Sequence, residues 1–219
     1  MNSSPVSDLR WFAAKAVGAL PESGRPSGMF KQALTGGVDL HAEGLIGDVQ
    51  ADRRVHGGPE KAVHVYPREH LSVLADQFPD ASWAPGVLGE NLSIIGITEA
   101  DVRIGEIWAI GGVRLQVCQP RQPCWKIDDR MRREGVSRFI EALGLTGWYC
   151  RVLRAATVAA TDAAVREWAT EAPTLAQARL LMGQHRPDPD ALRALAQTPG
   201  MATEWARKLS KRADYLTKL

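Results

Sequence analysis

The chain has no apolar run long enough to cross a bilayer. Its best candidate, Leu9 to Leu20, is interrupted by Arg10 and Lys15 and falls well short of the ~20 residues a crossing needs. No clear cleavage pattern follows, so the stretch reads as a first strand. Cysteine is scarce: three in 219 residues, with no CxxC and no Cys/His metal spacing. An odd, scattered set argues against a disulfide framework or a structural zinc site and suits a reducing cytoplasm. An excess of one charge is also missing. The 27 basic and 25 acidic residues leave +2, too balanced for non-specific adhesion to nucleic acid or membrane. There is no strand-linked GxGxxG and no cysteine cluster, so flavin, nicotinamide and iron-sulfur signatures are absent. What is present, 45% hydrophobic and 24% charged residues, can fill one sizeable core with a small appendage.

Glycine and proline punctuate a series of short strand patterns over residues 1–168. Lys61 to Tyr66 reads as a strand stopped by Pro67, which then suits the first turn of a helix carrying Leu71, Leu74 and Phe78. Ile107 to Cys118 reads as a hairpin turning at Gly111-Gly112, with Val113, Leu115 and Val117 alternating against Arg114, Gln116 and Cys118. Further strands are expected at Asn91 to Ile95 and Tyr149 to Ala156. Many short strands favour a closed or nearly closed β-barrel with peripheral helices, a mostly β, α+β chain, over a parallel sheet. Residues 169–219 read differently, as three short helices. Thr174 can cap the first, Asp190 to Gln197 forms the second, and Met201 to Leu216 places Trp205, Leu209 and Leu216 at helical spacing. The ridge of Arg207, Lys208, Lys211 and Arg212 reads as a solvated face.

Chemistry concentrates in a few fragments. In Gln119-Pro120-Arg121-Gln122-Pro123-Cys124-Trp125 a strand runs into two prolines and must leave as a stiff loop, holding one thiol at its tip. Arg121 sets a permanent positive charge nearby, a setting for a soft anionic ligand or a nucleophile. Cys118 and Cys150 sit in apolar strand-like runs and read as inert. Upstream, Gly47-Asp48 leads to His56-Gly57-Gly58-Pro59-Glu60-Lys61, and Gly89-Glu90-Asn91 precedes a strand. The Gly57 and Gly58 amides are compatible with close approach to an anion and equally with an ordinary turn. Lys61 can supply charge or simply guard a strand edge, and Asn91 can orient a ring through its paired donor and acceptor. Trp125 can stack on a planar ligand, though a core tryptophan is the more ordinary reading.

Taken in order, Phe30-Lys31, GLIGDVQADRRVHGGPEKAVHVYPREH at 44–70, PGVLGENL at 85–92, IGEIWAIG at 104–111, QPRQPCWK at 119–126 and TGWYCRVL at 146–153 resemble MOSC domains. The likeness is to the bacterial YiiM-like type associated with resistance to hydroxylaminopurine, in which a three-helix subdomain follows the barrel. It covers nearly the whole chain, and the ordered set is far more specific than any one fragment. The resemblance implies a MOSC-type β-barrel and a molybdenum cofactor, a metal held by a pterin dithiolene and completed by a protein cysteine, which by position is Cys124. Pyridoxal phosphate is not required. Lys31, Lys61 and Arg121 are then the candidates for the cofactor's phosphate, His56 and Asn91 for its ring, and Asp48 for positioning a cation, relaying a proton or bracing the loop.

The implied activity is reduction of N-hydroxylated bases such as 6-hydroxylaminopurine, with Cys124, His56 and Asp48 as the catalytic set. Electrons would come from a separate flavoprotein or ferredoxin-type reductase, and no nucleic acid or membrane partner is expected. The chain would act as a monomer or homodimer. Two other readings stay open: a metal-free thiol enzyme with His56 as base to Cys124, and a non-catalytic carrier of the cofactor or of sulfur.

Overall fold

A computed structural model describes residues 5, 6 and 8–218, with Arg54 described by its backbone alone. In chain order the elements are β1 (Arg10–Ala13), β2 (Gly18–Ala19), β3 (Pro26–Ser27), β4 (Gln32–Ala33), β5 (Val38–His41), β6 (Gly44–Leu45) and α1 (Arg53–His56). A 3-10 turn at Pro59–Lys61 leads to β7 (Val63–Pro67), α2 (Glu69–Gln77), β8 (Leu92–Ile94), β9 (Ile107–Ile110) and β10 (Val113–Pro120). Then come α3 (Lys126–Met131), α4 (Val136–Leu143), β11 (Trp148–Arg154), β12 (Ala156–Val158), β13 (Ala164–Trp168), α5 (Leu175–Gly183), α6 (Pro189–Ala196) and α7 (Thr203–Leu216).

Eight strands form one sheet in the order β13-β9-β10-β11-β7-β8-β1-β4, while β12-β5-β6 form a second and β2-β3 a two-stranded ribbon. Neighbours are antiparallel except β7 and β8, which run parallel. The expected hairpin is present, with Ile110 opposite Val113 across Gly111-Gly112. Just before β1, Val6 exchanges two 2.8 Å backbone hydrogen bonds with Ala164 of β13. That bridge brings the two ends of the chain's strand path together, so the large sheet curls into a nearly closed barrel as the strand content led one to expect.

Trp11, Val63, Val65, Leu92, Ile104, Ile110, Leu115, Val117 and Trp148 fill its interior, and Leu175, Leu192, Leu195 and Leu209 from the C-terminal helices join the same core. Burial of such side chains is the main driving force for this packing, each contributing about 1.5–3 kcal/mol. A second apolar cluster joins Tyr66, Leu74 and Phe78 to Ile127, Val136 and Ile140.

Several local expectations need correction. Pro67 does not open a helix. It pairs with Ile94 as the last residue of β7, and the next amide, Arg68 N, donates to Ile94 O at 2.8 Å. Helix α2 begins after it. The first strand is confined to Arg10–Ala13, and a short helix, α1, precedes Gly57-Gly58. Helices α3 and α4 were not anticipated, although Ile127, Val136 and Ile140 bury one face and Gly144 ends α4 with a left-handed φ of 74°. Cys118 sits with the outward period of β10 yet is buried, because the chain before α7 covers that face: Ala202 N donates to Cys118 O at 2.9 Å.

The C-terminal helices follow their signals closely. Thr174 and Gln177 form a reciprocal capping box for α5. Asp188 caps α6 through the amides of Asp190 and Ala191. Helix α7 is held at its start by Glu60, whose carboxylate accepts from Thr203 N at 2.9 and 3.0 Å, from Thr203 Oγ1 at 3.0 Å and from Arg151 at 3.0 Å. A carboxylate at a helix N-terminus satisfies orphan amides and complements the dipole. Glu60→Ala is therefore expected to lower unfolding stability by about 1–3 kcal/mol, read as a lower urea midpoint with an unchanged slope. An unchanged midpoint would show that this tie contributes nothing.

Candidate functional site

The thiol of interest lies where β10 gives way to α3. Pro120 still pairs with Trp148, and Arg121 N donates to Gly147 O at 3.0 Å. Past that point the chain leaves the sheet, and Cys124 O accepts from Ile127 N at 3.0 Å to open the first turn of α3. Cys124 is thus fixed on both sides and stays half-buried. Gly147 is essential to this crossing: its φ is 67°, and a Cβ there would collide with the carbonyl of Val65.

Cys124 opens onto a pocket whose empty space, mouth included, is about 580 Å³. Lys31, Asp48, His56, Lys61, Asn91 and Arg121 all line it with Cys124, so residues spread over some ninety positions of sequence meet in one place. Gly57 and Gly58 do not line it. Gly58 supplies the 96° φ that starts the 3-10 turn, and Gly57 packs against Gln50 and Arg53, so the turn reading holds for both.

Asp48 is the most heavily bonded of these residues. Its Oδ1 accepts from Ala14 N at 2.7 Å, its Oδ2 from Asn91 Nδ2 at 2.8 Å, and both oxygens from Lys31 Nζ at 2.6 Å. Asn91 in turn accepts from His64 N at 3.1 Å through Oδ1. With its oxygens occupied in this way, Asp48 positions a cation and braces the loop. Lys31 is held mostly out of water, and burial pulls its ammonium below the usual lysine range against the opposing pull of Asp48.

The remaining cations are differently placed. Arg121 is only 6% exposed, and no carboxylate pairs with it among the described residues. Tyr149 lies against it, and burial of Tyr149 raises its phenol above the usual range while Arg121 opposes the rise. Lys61 Nζ donates to Val55 O at 2.7 Å and lies 3.6 Å from Glu204 on α7. Lys126, also on the pocket wall, donates to Pro26 O at 3.1 Å. With Lys31 neutralised by Asp48, the pocket keeps a net positive character from Arg121, Lys61 and Lys126.

Both histidines of the site respond to this field. Burial first, then the charges of Lys126, Arg121 and Lys61, lowers His56 to about 4, so it is neutral at physiological pH. His64, which the strand pattern concealed, lies 3% exposed on the pocket wall with burial and Arg121 holding its pKa well below the ordinary value. Its Nε2 has no hydrogen-bond partner, although the carbonyls of Gly89 and Thr146 lie near the ring. A histidine among Val63, Val65 and Tyr66 was the available signal. Trp125 is not a core residue: it is 45% exposed, with the Arg25 guanidinium 5.3 Å from its ring centroid. Cys118 and Cys150 are buried, and burial pushes the Cys118 thiol up to about 12 and that of Cys150 well above its ordinary value, which makes both inert.

A curled β-barrel bearing one accessible thiol at a cation-lined mouth defines the class. Comparisons agree on its identity. A MOSC domain model matches residues 52–165. Protein YiiM of Escherichia coli is 34% identical over 199 residues, covering 90% of this chain and 88% of that one. A protein named reductase from Gibberella moniliformis is 34% identical over 139 residues, 62% of this chain but 25% of that much longer protein. The crystal structure of YiiM from Escherichia coli superposes with a TM-score of 0.81 at 25% identity, covering 98% of this chain and 94% of that one. YiiM from Geobacillus stearothermophilus shares the fold, with a TM-score of 0.80 at 23% identity over 95% of this chain and all of that one. The chain belongs to the MOSC domain family.

The electrostatics of His56 can be checked directly. Its folded pKa of about 4 lies below the 6.5 of an unfolded chain, so between these values the unfolded state binds the extra proton and stability falls as pH falls. Urea titrations should show the native protein losing stability relative to His56→Gln as pH drops from about 6.5 towards 4, with no such divergence above 7. Parallel pH profiles for the two proteins would contradict the assignment.

Proposed function

We propose that this protein is a molybdenum-cofactor-dependent reductase of N-hydroxylated compounds, in the class of hydroxylaminopurine, with Cys124 as the protein ligand to the metal. The observation carrying the proposal is that the half-buried thiol of Cys124 shares one pocket with a buried guanidinium, Arg121, that lacks a carboxylate partner. A buried cation without a counter-charge is costly, and an anionic phosphate would offset it. The unpartnered Nε2 of His64 and the fork of Arg121 together give such a ligand a donor or acceptor and a bidentate clamp. Among the described residues no three His, Cys, Asp or Glu side chains are grouped to hold a metal, so Cys124 would act beside ligands that the cofactor brings. The residues therefore fit the group.

Bound there, the cofactor would supply the two-electron chemistry that removes oxygen from nitrogen, with water as the other product. The chain's residues do the remainder. Cys124 provides a soft thiolate ligand. Arg121 and Lys61 hold the phosphate, whereas Lys31 serves through Asp48 as part of the wall. His64 orients the ring, while Asn91, whose side-chain amide bonds Asp48, Phe12 and His64, braces the wall behind it. His56 enters as a neutral imidazole, its pKa lowered chiefly by burial, and a bound anion would offset only the share owed to Lys126, Arg121 and Lys61. MOSC domains are generally associated with this cofactor, and the name of the Gibberella relative points to a reductase. The separate electron donor, residues 1–168 as the catalytic barrel and 169–219 as its helical appendage belong to the same proposal.

Cys124→Ser is expected to retain the thermal unfolding midpoint of the native protein, to purify with at least ten-fold less molybdenum from a cofactor-competent host, and to lose reduction of 6-hydroxylaminopurine. Full turnover in a molybdenum-loaded Ser variant would exclude the ligand role.

A further inference from the structure

Outside the pocket of Cys124 lies a wider groove, whose empty space counted the same way is about 1060 Å³. It shares Ala51, His56 and Lys126 with the inner pocket and adds Arg25, Pro26, Val55 and Trp125. The groove is built, not incidental. Asp129 of α3 accepts from Glu22 N at 2.8 Å and from Ser23 N at 3.1 Å, and Lys126 Nζ reaches Pro26 O. These bonds fasten the β2–β3 turn to α3 and so set Arg25 over the Trp125 ring.

The groove's chemistry is specific. Trp125 and Val55 are large hydrophobic side chains left 45% and 55% exposed on the groove wall, and an aromatic face so placed is suited to a planar heteroaromatic ring. Stacking uses the flat side of a guanidinium and leaves its N–H donors for an anion. Neither Arg25 nor Lys126 is ion-paired to a described carboxylate, whereas Arg53 is paired with Glu43. Asp52 is the one described carboxylate on the groove wall, against Arg25, Arg53 and Lys126, so an apolar stacking surface beside an excess of cations matches a base that carries a phosphate.

We infer that this groove is the substrate's seat and that it selects a nucleotide over the free base, with Trp125 stacking on the base and Arg25 and Lys126 meeting the phosphate. The proposal deepens the reductase reading and rests on it for the word substrate. The binding itself is independent of turnover. Selectivity follows from the same features: a neutral base gains only the stacking, while a nucleotide gains the two cations as well, and that gain weakens as salt screens it.

The test is calorimetric titration of purine nucleoside 5′-monophosphate and of free purine base into the full chain, first without cofactor and then loaded with it. The nucleotide should bind at least about ten-fold more tightly than the base, with affinity falling as salt rises. Trp125→Ala should weaken both ligands about ten-fold, and Arg25→Gln should weaken the nucleotide several-fold more than the base. Both positions are exposed, so unchanged thermal midpoints confirm that the variants fold. Equal affinity for base and nucleotide, no binding, or nucleotide binding indifferent to both substitutions overturns the proposal. Nucleotide binding that vanishes on cofactor loading also overturns it, by assigning the groove to the cofactor. None of these outcomes touches the role of Cys124, which metal content tests separately.

Discussion

The site depends on the buried ion pair between Asp48 and Lys31 and on the hydrogen bonds that complete it. Asp48 accepts from Ala14 at the end of β1, from Lys31 ahead of β4 and from Asn91 at the start of β8, and Asn91 passes the connection on to His64 in β7. One carboxylate thereby registers three neighbouring strands and the loop before β4 at the barrel mouth. Such a pair stabilises only when its remaining lone pairs and protons are satisfied, and removing one partner strands a buried charge. Here the satisfaction is nearly complete. The consequence for function is indirect: because the charge of Lys31 is cancelled locally, the pocket's field is set by Arg121, Lys61 and Lys126.

That field explains the division of labour among similar residues. Three cysteines occupy the same end of the barrel, yet burial pushes Cys118 to about 12 and Cys150 well above the usual range, while Cys124 is held half-exposed by the break between strand and helix. Two histidines feel Arg121, and both are kept neutral chiefly by burial, His56 near the mouth and His64 within the wall. The proposed function draws on this arrangement: beside a guanidinium that no described carboxylate pairs, each cation raises the free energy of the others, and an entering negative group would relieve it.

The features legible in the sequence were those with short-range causes. The Gly111-Gly112 hairpin, the Thr174 cap, the Asp190 helix and the proline loop around Cys124 all follow from turn chemistry or local periodicity, and each lies where those rules put it. The fragments singled out in the sequence also meet in space, since Lys31, Asp48, His56, Lys61, Asn91, Arg121 and Cys124 line one pocket, and their roles there belong to the proposed function. What escaped depended on tertiary neighbours. His64 looked like any alternating strand residue until Gly147 and Tyr149 closed over it. Trp125 stands 45% exposed with its ring against Arg25, a hundred positions away in sequence. Helices α3 and α4 are short, and their apolar face acquires meaning only against Leu74 and Phe78. Asp48 read equally as relay or brace, because the number of donors it would meet is not a property of its local sequence.

The His56-to-Lys61 turn links these levels. His56 and Lys61 face the pocket, while Glu60 between them holds the start of α7, and Lys61 itself lies 3.6 Å from Glu204 of that helix. The backbone oxygen of Glu60 also accepts from Gln119 at 2.8 Å and from Cys118 at 3.0 Å, immediately before the proline loop. One six-residue turn is therefore clamped between the strand that delivers Cys124 and the helix that closes the C-terminal bundle. Lys61 is thereby tied both to the strand that leads to Arg121 and to α7, so the placement of this cation rests in part on the C-terminal helices. The C-terminal helices are in this sense part of the electrostatics of the site, even though none of their residues lines the pocket of Cys124.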